Sequence, residues 1–309
     1  MHSYTDFCSK SNTYEVRGLC MLLILFHHIF VQMMQMGCSI PYVGILLSPG
    51  GYLGTGLFFF MSGYGLYHSM AFKEVLPTSY LWKRLFKMWS VFIVAYMLTA
   101  IPMILNHEFG GGNLIDFLTL TIPHTTTWFF KVIVLTYIVT FVIFKLKISK
   151  GLKVGFVVFV SVIYYVISSR LLPDFWYTSV LCFPMGMITA LYKSKFNTKL
   201  QLLLSILFVP CFWKMQVLHW RFVTAILFCF FVLFLIRFIH YKSFVLNYIG
   251  VNSLCFYLFQ LALLQNLHIL TSNPLVYMLL MVGCVSILTI MYVRWLQPIS
   301  TKIINKKCV

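Results

Sequence analysis

The sequence predicts an all-α fold: a polytopic integral membrane protein of about ten transmembrane helices. Three observations carry this. The 309 residues are 61% hydrophobic and only 9% charged, against about 25% charged in a soluble domain. Such a chain lacks the polar surface to face water, so its solvent is mostly lipid. The apolar residues fall in runs near the roughly 20 residues that cross a hydrocarbon layer of about 30 Å. The charges between the runs are mostly basic, 23 Lys and Arg against six Asp and Glu. In short loops between apolar runs that excess marks cytoplasmic segments, not a nucleic-acid partner.

The first run, 18–36, continues through Val31 to Met36 with no small-residue cleavage site. It reads as a retained anchor, not a signal peptide. The second, 46–70, is rich in glycine and aromatics, and the third, 85–105, follows Lys83, Arg84 and Lys87. The fourth, 127–145, opens at Trp128 and closes on Lys145; the fifth is 152–172. Two shorter runs, 175–192 and 199–214, are separated by Lys193, Lys195 and Lys199. The last three are 219–240, 246–270 and 274–297, the final one ending beyond Arg294. The polar stretches between runs are short, so 1–309 reads as a single membrane domain with no separate soluble domain.

The basic residues give an independent check on the count. With the N-terminus inside and ten crossings, all but four of the 23 cations fall on the inner side; the exceptions are Lys131, Arg170, Lys214 and Arg221. This asymmetry predicts a cytoplasmic-membrane protein with both termini cytoplasmic. The longest outer segment is then 106–126, which carries His107, Glu108, Asp116 and His124 but no Lys or Arg. The nine cysteines show no CxxC or Cys/His spacing, so neither disulfides nor a metal site is expected. Cys308, near the end of the chain, is a candidate for lipidation, although Lys307-Cys308-Val309 is not a prenylation signal.

The first helix holds the chemistry. Arg17 stands at its inner edge, and His28 follows eleven residues later. Eleven residues complete about three turns, so the two share a face, about 16 Å apart along the axis. His28 then lies near the middle of the bilayer, and His27 points about 100° away from it. Ionisable groups at such depth face a partner or a cavity. One reading is a histidine bonded to a neighbouring helix. The other is a catalytic base, because a neutral imidazole can take a proton from an attacking hydroxyl. On that reading Arg17 holds a phosphate or carboxylate at the inner mouth.

These residues resemble the acyltransferase-3 family of membrane O-acyltransferases, whose first helix carries an Arg, ten residues and a His, matched by Arg17 and His28. Further segments are similar in the same order. Gly51 to Tyr64, with Phe58, Phe59, Phe60, Ser62 and Gly63, looks like the second-span signature, although Gly56 stands where many members have Asp. Arg84 and Lys87 resemble an Arg-x-x-Arg motif with its second Arg replaced. Trp128-Phe129-Phe130 resembles the start of a later span. Ile249 to Gln260 resembles a late-span motif that often ends in His, where this chain has Gln260.

The resemblance implies transfer of an acyl group, usually acetyl from acetyl-CoA, to a carbohydrate hydroxyl. The partners implied are acyl-CoA, the lipid bilayer and a carbohydrate acceptor, a polyprenyl-linked sugar being one form of it. Acetyl-CoA is a co-substrate, and no bound cofactor is expected. His28 would be the base. Arg17, Arg84 and Lys87 would meet the phosphates of the donor by charge-assisted hydrogen bonds. Direct transfer and an acyl-histidine route are both compatible with His28.

Each secondary residue has a plainer reading. Arg84 and Lys87 also satisfy the inner-loop charge rule. Trp128 stacks on a sugar or anchors an interface. Lys131 is a functional cation or one that reaches to the interface. Ser62 packs helices more readily than it attacks, and His27 accompanies the channel or acceptor side. The competing function is a transporter or flippase for a lipid-linked sugar. It would carry deep carboxylates, whereas Asp6, Glu15, Glu74, Glu108, Asp116 and Asp174 all lie outside the centres of the runs. No internal repeat supports duplicated transporter halves.

Overall fold

The computed structural model describes residues 10–38, 41–71, 73, 76–215, 220–238 and 242–307. Asp6, Glu74 and Cys308 lie outside the described residues. Among the described residues there are helices and turns but no strands. The helices are α1 (Lys10–Gln35), α2 (Pro41–Leu47), α3 (Gly50–Met70), α4 (Thr78–Leu105), α5 (Gly111–Leu118), α6 (Trp128–Lys145) and α7 (Lys150–Leu171). They continue with α8 (Cys182–Leu191), α9 (Thr198–Met215), α10 (Arg221–Phe238), α11 (Phe244–Val251), α12 (Ser253–Leu270), α13 (Pro274–Met291) and α14 (Gln297–Lys307). A 3-10 turn, Asp174–Trp176, precedes α8, and a π-helical stretch, Tyr292–Leu296, joins α13 to α14.

Six helical segments are long and apolar enough to cross a membrane: Thr13–Gln35, Val43–Met70, Thr78–Leu105, Trp128–Lys145, Lys150–Leu171 and Pro274–Ile303. A seventh is counted if the bent pair Phe244–Val251 and Ser253–Leu264 is one span. The chain is therefore an all-α, multi-pass membrane protein. The remaining expected runs, 175–192, 199–214 and 219–240, fall on α8, α9 and α10. Only Cys182–Leu191 of the first is α-helical. Pro184 explains the late start: proline lacks the N–H of an interior helical residue and sits within the first turn, where none is needed.

The described helices divide into two compact units. In the first (1–20, 49–76 and 136–251), α3 packs on α8 and α10. The crossing with α8 is as close as backbones allow: a Cβ at Gly63 would overlap the Phe183 carbonyl, and one at Gly186 the Phe60 carbonyl. Small residues serve membrane helices this way because packing, not water exclusion, holds them together. Ser179 fastens the same place, donating to the Tyr52 carbonyl at 2.8 Å and lying 3.0 Å from the Thr55 hydroxyl. The N-terminal part of α1 crosses α11 in like manner, Gly18 against Leu246 and Gly250 against Tyr14. The Glu15 carboxylate accepts the Ser243 N–H just before α11.

In the second unit (21–48, 77–135 and 252–309), α12 packs on α4 and α13. Aromatic contacts fix the levels. Phe92, midway along α4, stacks on Phe130 at 5.4 Å; Phe129 meets Tyr257 at 5.3 Å; and Phe259 meets Tyr292 at 5.9 Å. The start of α6 therefore lies beside the middle of α4, not at its C-terminal end.

The preceding segment, expected as a loop over the outer surface, folds back along α4. The Tyr96 hydroxyl donates to the Asn113 carbonyl at 2.6 Å. Phe117 lies 5.0 Å from Tyr96, 6.0 Å from Phe92 and 5.8 Å from Trp89. Thus α5 returns antiparallel to α4, with Leu114, Ile115 and Leu118 exposed on its far side, a lipid-facing pattern. Residues 119–127 then turn through three positive φ angles, at Leu120, His124 and Thr127. Such irregular backbone is tolerated at membrane depth where protein covers it. Thr127 meets that need by donating its hydroxyl proton to the Leu120 carbonyl at 2.7 Å.

Candidate active site

The site is built on α1. Its buried residues, Val16, Cys20, Met21, Ile24, Leu25, Ile29 and Gln32, recur at three- and four-residue intervals and form a stripe facing the protein. Arg17 and His28 border that stripe on one continuous helix, which preserves their spacing of about 16 Å. Both side chains are half-buried.

The two histidines do different things. The His27 Nδ1–H donates to the Leu47 carbonyl at 2.8 Å. It thereby occupies the last residue of α2, whose carbonyl has no helical partner ahead of it. His28, 5.4 Å from His27 ring to ring, faces α12. There the side chain of Gln260 lies within interaction distance of its ring. His28 Nδ1, Gln260 Nε2 and Gln260 Oε1 are all buried with no hydrogen-bond partner among the described residues. Gln260 is 0% exposed.

Other named residues lie on neighbouring elements. Lys87, exposed on α4, is within electrostatic reach of Cys255 on α12. Cys255 is five residues before Gln260, about 7.5 Å along the helix. Arg84, one turn earlier on α4, donates to the Tyr80 hydroxyl at 2.7 Å. Trp128 packs on Phe129 at 6.0 Å, at the level where Phe129 meets Tyr257, one turn before Gln260. Trp128 thus lies beside the middle of α4 and α12. Lys131 is half-buried; its ammonium donates to Thr121 Oγ1 at 2.7 Å, with Asp116 the nearby acid.

Ser62 is half-buried on α3 in the first unit. Gly56, where an acid was absent, has no room for one: a Cβ would already lie 3.2 Å from Cys182 Sγ and 3.3 Å from Ala225 Cβ. Among the described residues, no group of three or more His, Cys, Asp or Glu side chains could hold a metal ion.

An acyltransferase-domain family model, that of acyltransferase-3, matches residues 16–294. The chain belongs to the acyltransferase-3 family. No curated protein and no solved structure matches it. The match runs from one residue before Arg17 to Arg294 in the π-helical stretch, and so takes in α1 from Val16 onward and all of α2 to α13. This acyltransferase-3 member is thus a membrane acyltransferase. Sequence reasoning marked Gln260 only as a departure from a histidine. Its position beside His28 depends on how α12 packs, which no local pattern in either segment records.

Proposed function

We propose that this protein transfers an acyl group, most simply acetyl, from acyl-CoA to a hydroxyl of a cell-surface or lipid-linked carbohydrate. His28 is the general base. The observation that carries the reading is a deep imidazole beside an unsatisfied amide, on the same α1 face as Arg17, in a chain of this family. The acceptor hydroxyl attacks the thioester carbonyl and His28 takes its proton. The carbonyl then re-forms as the C–S bond breaks, and the CoA thiolate leaves with the proton from His28.

The donor approaches from the cytoplasmic side. Arg17, Arg84 and Lys87 offer cations to its phosphates, and Lys87 stands beside the helix that carries Gln260. The acceptor approaches from the other side past Trp128 and Lys131, along the folded-back segment 119–127. Its polar Thr119 and Thr121 suit a hydrated sugar better than lipid. The topology proposed is ten crossings of the cytoplasmic membrane with both termini inside.

His28→Ala tests the reading. Membranes carrying the full chain are given [14C]acetyl-CoA, and label is measured in polysaccharide. Losing a general base lowers transfer on the order of 10²–10⁴-fold. Undiminished labelling at an equal protein level would sink the mechanism.

A further inference from the structure

We propose that Gln260 is a second catalytic residue of this centre: its amide N–H holds the thioester carbonyl oxygen of the donor as that oxygen becomes negative. The proposal rests on the reading of His28 as general base. Its evidence is an excess of unsatisfied polarity. Gln260 is fully buried, yet neither amide atom has a partner among the described residues, and the same is true of His28 Nδ1 beside it. Buried polar groups are nearly always paired, and one left unpaired destabilises the fold. Leucine occupies the neighbouring positions Leu258, Leu261 and Leu264, and an apolar residue at 260 would avoid that cost.

One arrangement satisfies all three atoms. Gln260 Oε1 accepts the Nδ1–H of His28. This fixes the tautomer that leaves Nε2 free as the base and steadies the imidazolium once it forms. Gln260 Nε2–H then donates to the donor's carbonyl oxygen. As the acceptor oxygen bonds to the carbonyl carbon, its proton passes to His28 Nε2 and the π pair moves to the oxygen held by Gln260. As the pair returns, the C–S bond breaks, and the thiolate takes the proton from His28. A preplaced donor of this kind acts mainly on the transition state, where the charge is greatest.

The test compares wild type, Gln260→Met, Gln260→His and His28→Ala as full-length proteins in membranes. The probe is [14C]acetyl-CoA, with the polysaccharide of the host membranes as acceptor; unfolding temperature is read on the same proteins in detergent. Methionine keeps the length of glutamine but has no N–H. Gln260→Met should lower kcat by about 10²–10³-fold, leave the KM for acetyl-CoA within about twofold, and hold or raise the unfolding temperature. Gln260→His returns an N–H donor and should recover part of kcat. A purely structural glutamine gives the opposite pattern, with Gln260→Met less stable and its turnover per folded protein normal; that result overturns the proposal. Wild-type turnover in Gln260→Met with His28→Ala inactive overturns the role of Gln260 alone. Normal transfer by His28→Ala overturns both readings.

Discussion

At Gly18 and Gly250 the absence of a methyl group decides whether two helices can meet. A Cβ on Gly250 would overlap the Tyr14 carbonyl, and one on Gly18 the Leu246 carbonyl. Both obstacles are backbone, which cannot turn aside as a side chain can. Gly250→Ala should therefore cost at least about 1–3 kcal/mol, the range for forced overpacking, and lower the unfolding temperature of the purified protein. Gly65→Ala is the control, because a Cβ there meets nothing within 4 Å. Equal unfolding temperatures for the two variants would show that α1 and α11 do not touch as described. This contact also separates what the sequence reveals from what it hides. The Arg17 and His28 spacing is visible because one helix carries both residues. That Gly18 faces Gly250, or His28 faces Gln260, depends on the path of the chain between them, and no residue near either glycine or either site reports that path.

Among the elements, the long apolar runs were legible, and six of the expected spans correspond to helices of membrane-crossing length. What misled was polarity. Residues 106–126 hold glycines, threonines, two histidines and two acids, and they read as an outer loop. Within them Leu114, Ile115, Phe117 and Leu118 make one short helix apolar on both sides: Phe117 turns to α4, and the others are 57%, 62% and 69% exposed. Eight residues are too few for a hydropathy window, so the signal drowns in the polar residues on either side. Lys131 follows from this. Its span begins beside the middle of α4, and its partner Thr121 belongs to the folded-back segment. Cysteines placed singly at 110 and 118, in a chain otherwise free of cysteine, test the arrangement in intact cells. A membrane-impermeant maleimide reacts with the thiolate, which forms readily in water and not in hydrocarbon. Gly110→Cys should label and Leu118→Cys should not. Equal labelling of the two would place α5 in water and remove the folded-back segment from the acceptor path.

For the whole molecule, charge constrains the number of crossings through parity. With the N-terminus inside, α7 is the fifth crossing and ends on the outer side. By the charge rule Lys242, just before α11, and Arg294 and Lys302, which follow α13, are expected inside. Both conditions hold only if the chain crosses an odd number of times between Leu171 and Phe244. Three crossings, by α8, α9 and α10, meet this. Seven spans in total, with α8 to α10 lying at one surface, would send Lys242 and the last cations outside. Length makes α8 the weak point: its ten residues rise about 15 Å, half the hydrocarbon thickness. It can cross only with the help of the turns at 173–181. The exceptions to the charge rule fit this topology, since Arg221 at the start of α10 forms an ion pair with Asp174 just before α8 at 2.5 Å. That pair joins the two expected outer ends, so α8 and α10 begin on the same side. Fusions of alkaline phosphatase, active only outside the cytoplasm, separate the counts at one place. Joined after Ser272, between α12 and α13, the enzyme is outside with ten crossings and inside with seven. We expect it active there and inactive when joined after Lys195 or Lys302. Activity after Lys302 with none after Ser272 would establish the seven-crossing topology and put the carboxyl-terminal cations outside, against the charge rule.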